Sequence, residues 1–335
     1  MPTTTALRYH QYGTPAETLK LEELPLDEPK EGEALVKCLA APVNPADFGR
    51  VGGTYGDLAP LPAVGGLEGV GEIVALGGGS TQFRVGQRVF IPSSVGSWQT
   101  AAVIPYEELY PAPEKLPVEQ AAMGWVNPAT AWQLMHQFVK LKAGDILVQN
   151  APTSAVGRFV IQIADHLGIK TINLARSLDE EHALKELGAD IVLIDDRGAA
   201  KAALEATKGK KAKLALNSIG GSSALGMCKL LADRGVLVTF GGMDREPAPF
   251  PTRYLIFNDI QLRGFWMTHW YATASREEIY KLHNDVFTFM ENSKSAVKVI
   301  ARYRLDQFKD AFEHAQKPGK GGKVMFDLSG DLGPH

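Results

Sequence analysis

The sequence predicts an α/β chain in two parts: an irregular, β-rich domain and a doubly wound parallel sheet with helices on both faces. Three observations predict it. Up to about residue 120 the chain runs as short apolar stretches broken by Gly and Pro. From about residue 121 the apolar spacing becomes helical, and from "AGDILVQN" onward apolar strands alternate with amphipathic helices, as in a parallel sheet covered on both sides. At 335 residues the chain is also too long for one small domain.

The elements follow in order. "ALVKCLAAPV", "GVGEIVALGG", "QRVFIP" and "WQTAAVI" are rich in Val, Ile and Ala, with turn residues between them, and read as short strands. "PVEQAAMGWVNPATAWQLMHQFV" has helical spacing. "DILVQN", "KTINLAR", "DIVLID", "LALNSI" and "GVLVTFGG" are strands, with helices such as "VGRFVIQIADHLG" and "SLDEEHALKELG" between them. Gly188 closes the latter as a C-terminal cap. Beyond about residue 270, "SREEIYKLHNDVFTFMENSK" and "LDQFKDAFEHAQ" are helices and "GGKVMFDL" is a closing strand. The β-rich domain is therefore set at 1–120 with 270–335, and the parallel-sheet domain at 121–269. No repeat or low-complexity tract interrupts either.

Composition narrows the function classes. A hydrophobic content of 45%, a charged content of 22% and 34 glycines fit a soluble α/β enzyme. A net charge of −3 argues against a general nucleic-acid surface. Cys38 and Cys228 are the only two cysteines, without a CxxC, so neither a Cys-rich zinc site nor a disulfide framework is expected. The first residues, "MPTTTALRYHQYG", carry neither an apolar nor an Arg-rich leader. No run of about 18 apolar residues is present for a membrane span. The expectation is a cytoplasmic chain.

Residues 150–164, "NAPTSAVGRFVIQIA", lie where a strand turns into a helix around a dinucleotide pyrophosphate. That turn usually carries three glycines; here only Gly157 remains, at the position where helix and strand pack closest. Small residues (Ala151, Ser154, Ala155) occupy the rest. A helix N-terminus binds phosphate through its free N–H groups and dipole, and neither needs glycine. Alone, the turn also fits an ordinary strand–helix corner. A second signal favours the nucleotide. About 20 residues further on, the next strand ends in "NLARS", where an acidic residue would read a ribose 2′-OH and an Arg suits a 2′-phosphate. Arg176 holds that place beside Ser177. The competing reading makes Arg176 a solvated strand-end charge and lets Asp179, Glu180 and Glu181 merely favour a helix start.

The order of parts resembles the medium-chain dehydrogenase/reductase superfamily, and "PAVGGLEGVGEIVALG" (62–77) resembles its segment after the first catalytic loop. The positions that hold a Cys and a His zinc ligand in the zinc alcohol dehydrogenases are Asn44 and Leu67 here, neither a useful ligand. "NPADFGRVGGTYGDLAPLPAVGG" (44–66), "VNPATAWQLM" (126–135), "FGGM" (240–243) and "LRGFWMTHW" (262–270) together resemble the zinc-free 2-enoyl thioester reductases, also described as mitochondrial-type trans-2-enoyl-CoA or enoyl-ACP reductases. The resemblance covers nearly the whole chain. It implies a Rossmann-type sheet, a GroES-like β-rich catalytic domain, no metal, and NADPH as cofactor.

What the resemblance implies for individual residues can be stated. Hydride reaches C3 of a trans-2-enoyl thioester, charge builds on the carbonyl oxygen, and a proton reaches C2. Tyr55, in "GGTYG", matches the family tyrosine; a phenol stays protonated at neutral pH and can donate. A Tyr packed over a Gly-rich turn is the plainer alternative. Asn127 matches a residue beside the ribose and nicotinamide. Thr153, Ser154, Ala155, Val156 and Gly157 would line the pyrophosphate. Arg176, Ser177 and Leu178 would surround the 2′-phosphate. Phe240, Gly241, Gly242 and Met243, with Phe265, Trp266, Met267 and Thr268, would approach the nicotinamide half. Lys323, beside Lys317 and Lys320, would reach back to a cofactor phosphate. Trp266 and Trp270 read equally well as core or dimer-contact aromatics, Trp270 above all. A last sheet strand "IQLRGFW", awkward as a free edge, predicts a homodimer.

The function expected is NADPH-dependent reduction of enoyl-CoA or enoyl-ACP in fatty-acid synthesis. A zinc-independent quinone or enone reductase on the same fold is the alternative, and a catalytically silent nucleotide-binding partner is a third reading.

Overall fold

In a computed structural model of the chain, residues 2–79, 82–249, 251–295, 297–317, 319 and 321–330 are described. The chain forms two compact units, 1–126 with 297–335, and 127–296.

The first unit contains β1 (Thr3–Tyr9), α1 (Pro15–Thr18), β2 (Lys20–Pro25), β3 (Glu33–Pro42), α2 (Pro45–Val51), β4 (Ala63–Val64), β5 (Val70–Leu76), β6 (Arg88–Phe90), β7 (Ala101–Pro105) and α3 (Val118–Ala122). The second contains α4 (Asn127–His136), β8 (Ile146–Asn150), α5 (Ala155–His166), β9 (Lys170–Ala175), α6 (Glu181–Glu186), β10 (Ile191–Ile194), α7 (Ala199–Ala206), β11 (Ala212–Asn217), α8 (Gly221–Cys228), β12 (Leu231–Thr239), α9 (Thr252–Asn258), β13 (Gln261–Gly264), α10 (Met267–Thr273) and α11 (Arg276–Glu291). The chain then returns to the first unit as β14 (Val299–Tyr303), α12 (Phe308–Gln316) and β15 (Lys323–Asp327).

The first unit is mostly antiparallel. β2, β1 and β4 form a small sheet, and β14, β15, β3, β5 and β6 a larger one joined by β7. Its core is aromatic: Trp98 lies 5.2 Å from Phe312 and 5.6 Å from Phe326, ring centre to ring centre, all three buried to 1% exposure or less. Such rings each bury on the order of 200 Å², so they supply much of the stabilisation of so irregular a unit. The "AVGG" run exists to let Trp98 in. A side chain on Gly66, at φ +95°, would meet Ser97 Oγ at 2.2 Å and the indole at 2.7 Å.

In the second unit all six strands run parallel in the order β10-β9-β8-β11-β12-β13. Chain order reverses between β8 and β11, which is the place where open α/β sheets open a crevice for ligands. β8 is buried along its whole length, as a central strand covered on both faces is. α5 runs against β9 and α4, and its residues Gly157–Ala164 are all buried.

Three features differ from the sequence reading. The stretch from 117 onward is two helices, because Met123–Val126 is not helical; Pro128, in the first turn of α4, starts a helix well and cannot continue one. The return to the first unit comes at Val297 rather than near residue 270. α11 stays with the second unit, where Phe289 packs 5.8 Å from Trp132 of α4. Finally, β13 is shorter than "IQLRGFW": it ends at Gly264, and α10 starts at Met267.

Candidate active site and cofactor-binding turn

The turn after β8 is shaped by four residues. Ala151 adopts φ 48°, a left-handed conformation for which glycine is the usual residue. Ser154 caps α5, its Oγ accepting from Gly157 N at 3.1 Å. Gly157 is required by contact: a Cβ there would stand 2.6 Å from Ala151 O and 2.8 Å from Pro152 Cα. Gln149 Nε2 then donates to Gly157 O at 3.0 Å and to Asn173 Oδ1 at 2.8 Å, fixing helix to sheet. As the first two residues of α5, Ala155 and Val156 have no intrahelical acceptor for their amides, which is the donor arrangement a phosphate needs.

The other expected cofactor residues of this unit gather at the same edge. Arg176, Ser177 and Leu178 follow the carboxyl end of β9 and are exposed. Phe240–Met243 follow β12, and Phe265–Thr268 follow β13. Gly241 passes Ser218, whose carbonyl would lie 2.9 Å from a Cβ there. The Phe265 ring stands edge-on to Phe138 at 5.9 Å. Asn127 opens α4 and is buried to 8% exposure. Trp266 is 36% exposed, while Trp270 is half-buried with its ring edge-on to Tyr271.

Residues the sequence reading missed complete this edge. Asn150 and Asn217 end the neighbouring strands β8 and β11 and are hydrogen-bonded at 2.8 Å, with Asn150 Nδ2 also donating to Ser223 Oγ at 2.9 Å. Ser223 donates to Asp195, and Asn150 Oδ1 accepts from Ser218 N at 2.7 Å. An Asn at the last position of both neighbouring strands was the available signal. Glu180 stands at the start of α6 and also pairs with Arg158.

In the first unit, Tyr55 follows α2 on a turn closed by Thr54 N and Tyr55 N, which donate to Gly49 O at 2.9 and 3.1 Å. Its ring lies over Gly49 and is partly exposed. Nearby in sequence, Asn44 heads a buried polar cluster. Asn44 N donates to Asp47 Oδ2 at 2.7 Å, and Asn44 Nδ2 donates to Glu68 Oε1 at 2.7 Å. Leu67 N donates to Asp47 Oδ1 at 2.9 Å, and Val126 N to Glu68 Oε2 at 2.8 Å. Desolvation pushes Asp47 up to about 7 and raises Glu68.

Lys323 belongs to this cluster. It is buried to 6% exposure, and its ammonium donates to Asn44 Oδ1 with Glu68 and Asp47 as counter-charges. Desolvation lowers its pKa. Lys317 pairs with Glu313 on the surface, and Lys320 lies outside the described residues. The two zinc-ligand positions thus carry an amide and an isobutyl group, neither of them a useful zinc ligand. Among the described residues no group of three or more His, Cys, Asp and Glu side chains could hold one.

Comparison with known proteins places these sites in a family. Residues 30–114 match the family model "Alcohol dehydrogenase GroES-like domain" and 155–286 the model "Zinc-binding dehydrogenase". The mitochondrial enoyl-[acyl-carrier-protein] reductase of Dictyostelium discoideum is 37% identical over 97% of this chain and 95% of its own. That of Homo sapiens is 36% identical over 96% and 88%. Among solved structures, a putative NADPH:quinone reductase from Bacillus thuringiensis superposes with TM-score 0.91 at 26% identity, covering 98% of this chain and 99% of that one. The 2-enoyl thioester reductase heterodimer Etr1p/Etr2p of Candida tropicalis and the Etr1p complex with NADP and crotonyl-CoA each give TM-score 0.88 at 29% identity, over 98% of this chain and 100% of the other.

The Dictyostelium discoideum and Homo sapiens relatives are named as mitochondrial proteins, which overturns the expectation of a cytoplasmic chain. Among the described residues no helix is long and apolar enough to cross a membrane. Identity at this level over nearly the full length, together with both matched domains, makes the chain an oxidoreductase belonging to the enoyl-[acyl-carrier-protein] reductases of the medium-chain dehydrogenase/reductase superfamily.

Proposed function

We propose that the protein uses NADPH to reduce the trans-2,3 double bond of enoyl thioesters, as a step of fatty-acid synthesis. The observation that carries this reading is the gathering of the α5 N-terminus, Arg176 and the segments after β12 and β13 at one edge of the parallel sheet. The exposed Arg176 makes no ion pair with any described residue and suits a 2′-phosphate. The Etr1p complex with NADP and crotonyl-CoA supports both cofactor and substrate class.

The chain's own residues divide the work. The Ala155 and Val156 amides hold the pyrophosphate, and Arg176 with Ser177 holds the 2′-phosphate. A reduced nicotinamide bound there supplies hydride to C3 of the substrate. Asn127 and Phe265–Thr268 orient the nicotinamide half. Tyr55 donates from its phenol toward the carbonyl oxygen or C2, where negative charge develops. The chemistry needs no metal, in keeping with Asn44 and Leu67. The edge strand β13, exposed at all four residues, supports a homodimer with the sheet continuing across the two-fold axis.

The likeness to the Bacillus thuringiensis quinone reductase favours a second reading, reduction of quinones or enones. Crotonyl-CoA and a quinone, each offered with NADPH, separate the two. Loss of reduced nicotinamide absorbance with crotonyl-CoA is expected; turnover of the quinone alone would select the second reading.

A further inference from the structure

Arg158 is placed where a cation is costly. It is the fourth residue of α5, near the positive end of the helix dipole, and it is buried to 8% exposure. A buried charge there must be compensated by its neighbours. Its Nε donates to Thr153 O at 3.2 Å, in the turn after β8. The other end of the same guanidinium pairs with Glu180, in the loop after β9. One side chain therefore ties together the two segments that the proposed function assigns to the pyrophosphate and the 2′-phosphate. The second loop carboxylate is also engaged, with Asp179 Oδ2 accepting from Ser177 Oγ at 2.9 Å.

We infer that Arg158 and Glu180 form a positioning brace that holds the pyrophosphate turn and the 2′-phosphate loop in register and turns Glu180 away from the phosphate. This rests on the reading of Arg176 as the 2′-phosphate partner. The brace has two physical consequences. The distance between the two anion-reading points is set before the cofactor arrives, so less ordering is left for binding. The loop also leaves the Arg176 cation outside the brace, which favours the phosphorylated cofactor.

The test is Glu180→Gln, chosen because it removes the charge of the partly exposed partner while keeping its volume and one hydrogen-bond acceptor for Arg158. Simple electrostatics and the brace predict opposite signs. Removing a negative charge near the phosphate should tighten NADPH binding, whereas breaking the brace should weaken it. The brace predicts about tenfold weaker NADPH binding, a smaller change for NADH, and no further loss in Arg158→Gln/Glu180→Gln beyond Arg158→Gln alone, as for neighbours acting as one unit. NADPH affinity that is unchanged or improved in Glu180→Gln, or losses that add in the double variant, would overturn it. Arg176→Ala serves as the control for the underlying reading. If that variant keeps the NADPH preference, the 2′-phosphate assignment fails, and the brace is then judged without cofactor. Faster amide hydrogen exchange at 151–157 in Glu180→Gln supports it, and unchanged exchange overturns it.

Discussion

Replacing Gly157 by alanine puts one methyl group between the pyrophosphate turn and α5. That methyl would lie 2.6 Å from Ala151 O, 2.8 Å from Pro152 Cα and 2.9 Å from Pro152 O. All three are backbone atoms, so no side chain can swing aside. Reaching an ordinary 3.4 Å separation requires the turn and the helix start to move apart by about 0.8 Å. That movement strains the Gln149–Gly157 and Ser154–Gly157 hydrogen bonds. Overpacking of this kind costs about 1–3 kcal/mol, offset by about 0.5–1 kcal/mol because alanine restrains the unfolded chain. Net destabilisation of about 1–2 kcal/mol is expected in thermal unfolding of cofactor-free protein. The effect on binding should be larger than that figure implies, because misplacing aligned groups by about 1 Å can cost a factor on the order of 100. Fluorescence titration with NADPH should show a loss of tenfold or more. A Gly157→Ala protein that melts normally and binds NADPH normally would refute the argument that this turn carries the pyrophosphate.

Further predictions follow from the same geometry. Arg176→Asp replaces a phosphate partner by a repelling charge, so NADPH affinity should fall far more than NADH affinity in parallel titrations; equal losses would place Arg176 elsewhere. Purified protein should contain no stoichiometric zinc, and chelators should leave turnover intact; one tightly bound equivalent would contradict the reading of Asn44 and Leu67. His283 is buried against Tyr271, whose hydroxyl lies 2.9 Å from Nε2, and burial pushes its pKa down to about 3. Between that value and the unfolded value near 6.5 the unfolded chain binds a proton that the native protein does not, so stability falls as pH drops through this window. From pH 7 to pH 5 this contributes a loss of about 2 kcal/mol, and His283→Gln should show a correspondingly weaker acid sensitivity in denaturant titrations.

The parts legible in the sequence were those whose cause is local. Ser154 and Gly157 mark the α5 start because a cap and a close approach act within a few residues, and the alternation of strands and helices from residue 145 follows from burial on both sheet faces. The buried contacts of Lys323 were not legible, because nothing in its Gly-rich stretch announces a distant partner. Its burial is decided by Asn44, 279 residues away. The Arg158–Glu180 pair is hidden for a similar reason: nothing in α5 itself announces a partner 22 residues on. β14 went unrecognised because it is a half-buried strand paired to β15, which comes later in the chain. Ala151 shows the converse, a strained φ that the small-residue pattern implied without stating.

The most direct measurement compares wild-type protein with Tyr55→Phe on a trans-2-enoyl thioester and NADPH. The variant removes one hydroxyl and keeps the ring that packs over Gly49. The wild type should turn the thioester over, and the variant should lose about 10²–10³ in kcat, the typical effect of removing one transition-state donor. KM and NADPH affinity should change little, because the lost interaction is made mainly in the transition state. Turnover retained within a few-fold would remove Tyr55 from the catalytic role, and a wild type inert toward enoyl thioesters would contradict the proposed reaction itself.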